Sequence, residues 1–420
     1  MKGTLTYISI FFFWSISGQV TIDTLKFSNF IAPEIMIGQL SEPNTDFPEV
    51  GLQKTFILNF GAYQKSNKQE WAYRLNYPQT GISFGFSEYG NPKSVGRSYS
   101  IIPNAAFSVF NSNRFRMLFG LGLSYHNVQY DIRTNPLNKG ITTDFAWAFR
   151  GSLLYDLWKF ESSTLKLGIN YLHHSNGHVK LPNQGFNSFL LGVSYEMGYS
   201  NRDDFPKQVI IKESSERSTY NYYSFRIGLG QNVLSQIFND KKEIYTAALT
   251  YGKVINKTYK FGIGAYYRFY EHYYDYIKNE EELIVDRYPQ FLENPFGYAT
   301  NFGVFGAGEL LLNHIGVEFQ LGLNIYKPFY QVDWILNQGY VYIAYDENEN
   351  PFIAVAYGEL DWYYEVKRTV SSRLGLKYYF IGTDKNPRHN FYIGAHINAN
   401  LGQADFNELS FGYVYSFNFK

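Results

Sequence analysis

Three residues in one short stretch of the chain have the types and spacing for nucleophilic attack on an ester: His173, Ser175 and Asn187. In a strand, residues two apart lie on one face, ~6–7 Å apart at Cα, so His173 is placed to take the proton of Ser175 Oγ. Asn187, across a hairpin, can accept a hydrogen bond from the other imidazole nitrogen and fix the tautomer. Asn176, Gly177 and Asn183 supply amide groups and a backbone N–H for an oxyanion hole. Pro182 and Gly185 shape the loop between the two strands.

The elements that must position these groups are strands of alternating character. Leu165, Leu167, Ile169 and Tyr171 form an apolar series that His173 and Ser175 continue, and Asn187 opens the series Phe189, Leu191, Val193 and Tyr195. The same period of two recurs elsewhere. Phe115, Met117, Phe119, Leu121, Leu123 and Tyr125 alternate with smaller or polar residues, as do Leu409, Phe411, Tyr413, Tyr415, Phe417 and Phe419 near the C-terminus. Candidate strands fall around 53–64, 68–77, 81–89, 97–111, 114–125, 144–158, 162–175, 186–198, 218–230, 241–254, 258–272, 300–313, 315–327, 370–381, 390–400 and 405–419. Asn313–Ile315 and Lys159–Ser162 suit short periplasmic turns. The links Asn127–Thr143, Tyr273–Ala299 and Pro328–Val370 suit long outer loops. Asn201–Arg217 is long for a periplasmic turn and marks a possible seam at 199–217.

Composition agrees with strands that face lipid. Aromatic residues make up 20% of the 420, with 39 Tyr and 37 Phe, while mean hydropathy is slightly negative. A barrel with one lipid-facing and one polar side reconciles the two. No segment approaches the ~18 apolar residues of a spanning helix. The fold expected is all-β: a transmembrane antiparallel up-and-down β-barrel of about 12–16 strands with long outer loops. The soluble alternative is a β-sandwich, but that fold would put its aromatic residues in one core. Met1–Gly18, with Lys2, the apolar run Ile8–Trp14 and the small residues Ser15 and Ser17, reads as a secretory signal peptide. The expected order is signal peptide 1–18, a lead-in segment 19–52, and a barrel over 53–420 that carries the hairpin 162–198. Export to the outer membrane of a diderm bacterium follows, with the insertion machinery as a partner for the aromatic last strand. Zero formal net charge argues against nucleic acid as a partner, and the absence of cysteine removes disulfide and thiolate chemistry.

On these residues the chain resembles a known family. His173-x-Ser175-Asn176 followed by Pro182-Asn183-x-Gly185 and a polar residue at Asn187 resembles the lipid A 3-O-deacylase family (PagL), outer-membrane enzymes that remove an ester-linked acyl chain from lipopolysaccharide. Leu172-His-His-Ser-Asn-Gly-His178 with Leu181-Pro-Asn-Gln-Gly-Phe-Asn-Ser-Phe-Leu190 is similar to larger members known as acyloxyacyl hydrolases, with likeness upstream at Asn135-Pro-Leu-Asn138 and Pro33-Glu-Ile-Met36. One position departs: the family has Glu where Asn187 stands. Outer-membrane phospholipase A has a similar His-x-Ser-Asn-Gly pattern with Asn twelve residues after the Ser, the spacing of Ser175 to Asn187. Its calcium-binding pattern is not matched at Lys180 and Asn183.

The resemblance implies an ester hydrolase acting on lipid A of the outer leaflet, with His173 as base, Ser175 as nucleophile and Asn187 orienting. Neither metal nor cofactor is expected, and calcium enters only if the phospholipase alternative holds. A porin or transport barrel with a vestigial motif is the alternative from another class. By parity His174 faces the lumen as a hydrogen-bonding residue, and His178 is a loop residue. No function is assigned to His126, His272, His314, His389 or His396. The acidic runs 279–282 and 345–349 suit solvated outer loops.

Overall fold

The computed structural model describes residues 29–110, 112, 114–198 and 217–420. The expected signal peptide and most of the seam lie outside these residues. Eight strands run from Asn29 to Gly198: β1 (Asn29–Ser41), β2 (Gln53–Tyr63), β3 (Gln79–Glu88), β4 (Arg97–Ser108), β5 (Phe115–His126), β6 (Phe145–Lys159), β7 (Ser163–Ser175) and β8 (Phe186–Gly198). They pair antiparallel in chain order, and β8 returns to β1, so the sheet closes on itself. A second set repeats the plan: β9 (Thr219–Asn232), β10 (Lys242–Ile255), β11 (Tyr259–Tyr270), β12 (Thr300–Leu312) and β13 (Ile315–Tyr326). A two-stranded hairpin follows, β14 (Tyr340–Tyr345) with β15 (Pro351–Ala356). Then β16 (Val370–Tyr379), β17 (His389–Asn400) and β18 (Gln403–Phe417) close the second barrel against β9.

The antiparallel all-β barrel class is borne out, but one barrel over 53–420 is not, because the strands close as two barrels of eight. Alternation reports which way a side chain faces; it does not report which strand closes on which. The seam falls where the chain passes from β8 to β9. Two further expectations are corrected. The stretch 68–77 contains a short helix, α1 (Glu70–Arg74), that tucks Trp71 and Ala72 inward. The lead-in 19–52 contains β1, whose Pro33 lacks a donor and sits where the ladder to β8 skips between Ile31 and Glu34.

Closure at eight strands leaves room inside only for side chains. In the first barrel Arg150 is fully buried and donates to Glu34 Oε2 at 2.6 Å, Asn59 Oδ1 at 3.1 Å and Asn170 Oδ1 at 3.2 Å. In the second, Arg373 meets Glu408 at 3.0 Å, and Lys260 and Lys377 each meet Glu309 at 3.0 Å. On the outside, Ile35, Ile37, Phe84, Ile169 and Leu191 of the first barrel and Ile227, Leu249, Ile263 and Leu409 of the second are exposed. Lipid is the medium that tolerates such a belt. Removing one partner of a buried ion pair leaves the other charge uncompensated. Glu34→Ala is therefore expected to lower stability by about 3–5 kcal/mol, read as an earlier midpoint in urea unfolding of the detergent-solubilised protein. A shift under about 1 kcal/mol, the usual size for an exposed pair, would show that the interior charge is solvated.

The long outer segments are folded rather than loose. Helices α2 (Glu271–Lys278), α3 (Glu282–Arg287), α4 (Pro295–Tyr298), α5 (Tyr330–Gln338) and α6 (Trp362–Thr369) cap one end of the second barrel. Tyr270, Tyr273, Ile277, Ile284, Phe291, Phe329 and Val332 form the core beneath them. The sequence signal for loops there was length alone; the aromatic spacing that builds the cap has no period of two. Within the acidic runs Glu280, Glu282, Asp346, Glu347 and Glu349 are exposed.

Candidate active site

The hairpin β7–β8 sets the register that brings the site together. His173 pairs directly with Asn187 across the two strands, and Ser175 pairs with Trp147 on β6. His173 Nδ1 lies 2.8 Å from Asn187 Oδ1. That oxygen only accepts, so Nδ1 carries the proton and Nε2 has the free lone pair of a base. Tyr171 OH donates to the same Oδ1 at 2.6 Å, and its ring stacks near-parallel to His173 with centroids 6.5 Å apart. Tyr171 continues the apolar series in sequence, and nothing in a single strand shows that its hydroxyl reaches over to the neighbouring one.

Ser175 Oγ is held from the other side. Asn183 Nδ2 donates to it at 2.9 Å and the Gly177 backbone N–H at 3.3 Å. Asn183 is aimed by its own oxygen, which accepts from the Asn176 backbone N–H at 3.1 Å. The side chain of Asn176 turns away from Ser175: Nδ2 donates to Thr142 Oγ1 at 3.0 Å and Lys180 O at 2.7 Å, while Oδ1 accepts from His178 N at 2.9 Å. Asn176 thus contributes its backbone to the constellation and its side chain to the loop. Among the described residues no hydrogen bond joins His173 to Ser175, although the two side chains share a face of β7. Such bonds are often long before substrate binds.

The neighbouring loop is braced against this one. Gln184 N and Gly185 N donate to Lys139 O and Gly140 O at 3.1 and 3.0 Å, and Thr142 Oγ1 donates to Pro182 O at 2.8 Å. Asn135 and Asn138 both donate to Ser94 O, at 2.9 and 2.8 Å, which fixes that loop in turn. Gly185 has φ +74°, and a Cβ there would come within 3.0 Å of His173 Cε1, so glycine leaves the imidazole its place. His174 is buried inside the first barrel, with Nδ1 2.9 Å from Ser124 Oγ. His178 sits in the loop, where burial lowers its pKa from the ordinary histidine range.

The fold and this constellation define an outer-membrane β-barrel with a half-buried serine and histidine beside three asparagines at one end of the β7–β8 hairpin. Residues 51–196 match the family model of "Lipid A 3-O-deacylase (PagL)", a span that runs from β2 into β8 and contains every candidate site residue of the hairpin. The resemblance read from the motif is borne out over residues 51–196, while β1, with the likeness at Pro33–Met36, and the second barrel lie outside the matched span. Among solved structures the outer-membrane enzyme PagL is 17% identical, covering 39% of this chain and 97% of that one with a TM-score of 0.29. An outer-membrane channel from Pseudomonas putida F1 is 9% identical, covering 94% and 97%, with a TM-score of 0.17. No curated protein matches the chain.

Proposed function

We propose that the chain is an outer-membrane ester hydrolase that removes an ester-linked acyl chain from lipid A. The observation that carries this reading is the convergence of Asn183 Nδ2 and Gly177 N–H on Ser175 Oγ, beside a histidine whose tautomer is set by Asn187. Donors that touch the nucleophile at rest are within reach of the oxygen that becomes negative once the nucleophile adds to a carbonyl. His173 Nε2 takes the hydroxyl proton as Ser175 Oγ bonds to the ester carbon. The tetrahedral oxyanion collapses, the sugar alkoxide leaves with the proton from His173, and water admitted by the same base frees the fatty acid from Ser175. No step routes through a metal or cofactor.

The hydrolysis reading accounts for the external placement of the site. His173, Ser175 and Asn187 stand in series that otherwise face lipid, where polar groups are expensive unless they serve a function. A cavity of about 460 Å³ between the barrels, lined by Leu123, Phe145, Trp147, Leu229 and Leu409 together with Asn176, adjoins the strand partner of Ser175 and suits an acyl chain. Transport is the poorer reading, since both eight-stranded interiors are filled by ion pairs and their partners.

Mass spectrometry of lipid A and phospholipid from cells making the wild type or Ser175→Ala tests the proposal. Lipid A short of one acyl chain only with wild type supports it. Unchanged lipid A with lysophospholipid formed, and lost on adding a chelator, would instead indicate the phospholipase chemistry that the Asn at 187 resembles. Asn183→Ala is expected to lower kcat by about 10²–10³-fold with little change in KM, the usual loss for one oxyanion donor. Initial rates of fatty-acid release in detergent check it, and a loss confined to KM would move Asn183 out of the oxyanion hole.

A further inference from the structure

The second barrel lies outside the family match, yet it grips the serine loop. Asn239, between β9 and β10, accepts from Leu181 N at 2.9 Å and donates to Leu181 O at 2.7 Å. Val233 N donates to His178 O at 3.1 Å. Asn407 of β18 makes the contact nearest the chemistry: Nδ2 donates to Asn176 O at 2.8 Å, and Oδ1 accepts from Trp147 Nε1 at 3.0 Å.

The Asn176 carbonyl and the Gly177 N–H belong to one planar peptide group and point in opposite directions. Holding the oxygen therefore sets the direction of the N–H that meets Ser175 Oγ. Gly177 is what lets Asn407 in. Its φ is +69°, and a Cβ on it would lie 1.8 Å from Asn407 Oδ1. Trp147, the other partner of Asn407, is the residue directly across from Ser175 in the β6–β7 ladder. One side chain of the second barrel thus ties both neighbours of the nucleophile. Asn407 also stands in the lipid-facing series that continues through Leu409 and Phe411, so its amide needs those partners.

We propose that, given the Gly177 N–H as an oxyanion donor as read above, Asn407 is a positioning residue that the second barrel supplies to the site of the first. Small misplacements of catalytic groups can cost about 10²-fold in rate. Asn407→Ala is expected to lower kcat by about 10–100-fold; Asn407 also borders the cavity read above as the acyl site, so KM can rise as well, and the positioning role is read from kcat. Asn407→Asp keeps the shape and the acceptor for Trp147, but above neutral pH it cannot donate to Asn176 O, so kcat falls nearly as far. Trp147→Phe removes only the indole bond and is expected to lose less than either.

The measurement is kcat and KM for fatty-acid release by each full-length variant, normalised to the folded fraction from heat-modifiable gel mobility. A normalised kcat for Asn407→Asp equal to wild type overturns the positioning role. So does a loss in Asn407→Ala that merely tracks the folded fraction. Should Asn407→Ala not fold, Asn407→Asp, with its shape and indole contact kept, still decides the question. Ser175→Ala run in parallel separates the two failures. Activity surviving there removes the serine mechanism itself. An inactive Ser175→Ala with unimpaired Asn407 variants removes the positioning role alone.

Discussion

Ser175→Ala is expected to lower kcat for fatty-acid release by about 10⁶-fold, the loss typical of deleting the nucleophile from a Ser–His unit. The barrel should remain folded, because Ser175 Oγ accepts from Asn183 Nδ2 and Gly177 N–H but closes no ladder. Unchanged gel mobility and an unchanged urea midpoint should therefore accompany the kinetic loss. The residual rate would come from binding and the remaining donors, which in such enzymes still give about 10³–10⁴-fold over water. A variant that retains even a tenth of the wild-type rate would mean that a water, not Ser175, attacks the ester.

The reach of this prediction depends on what sequence alone could establish. His173, Ser175 and Asn187 were legible because the period of two is local: three polar residues interrupt apolar series on adjacent strands, and the register pairs His173 with Asn187. Gly177 and Asn183 were legible for the same reason, as loop residues between fixed strand ends. The partner of Glu34 was not, since Arg150 lies 116 residues away and parity gives only the direction each points. β1 was hidden by Pro33, which interrupts the outward series that Ile35 and Ile37 carry, and by Glu34, a charge in the inward series of Ala32 and Met36. With β1 assigned to a lead-in, closure of the first barrel could not be seen. Asn407 left a signal of the kind that marked Ser175, a polar residue in the series Leu409, Phe411 and Tyr413. Without the second barrel docked on the first, nothing connects it to Gly177.

Asn187, the orienting residue of the proposed site, carries the second large effect. Asn187 Oδ1 accepts from both His173 Nδ1 and Tyr171 OH, so its loss frees two groups at once. Without the acceptor, nothing favours the Nδ1–H tautomer, and the ring can present the wrong nitrogen to Ser175. Loss of tautomer control in a Ser–His unit costs up to about 10⁴-fold in kcat, and Asn187→Ala is expected to lose about 10³–10⁴-fold, short of the Ser175→Ala effect. Tyr171 is expected to keep the ring stacked near its present position, so KM should change little. Asn187→Asp is the informative companion. It is isosteric, still accepts from both donors, and adds a charge that stabilises the imidazolium formed as Ser175 attacks. Its kcat should therefore match or exceed that of wild type, provided the carboxylate at the membrane surface stays solvated. Equal rates for Asn187→Ala and wild type would show that Tyr171 or water orients the imidazole. A loss in Asn187→Asp as deep as in Asn187→Ala would show that the site requires the neutral amide as such.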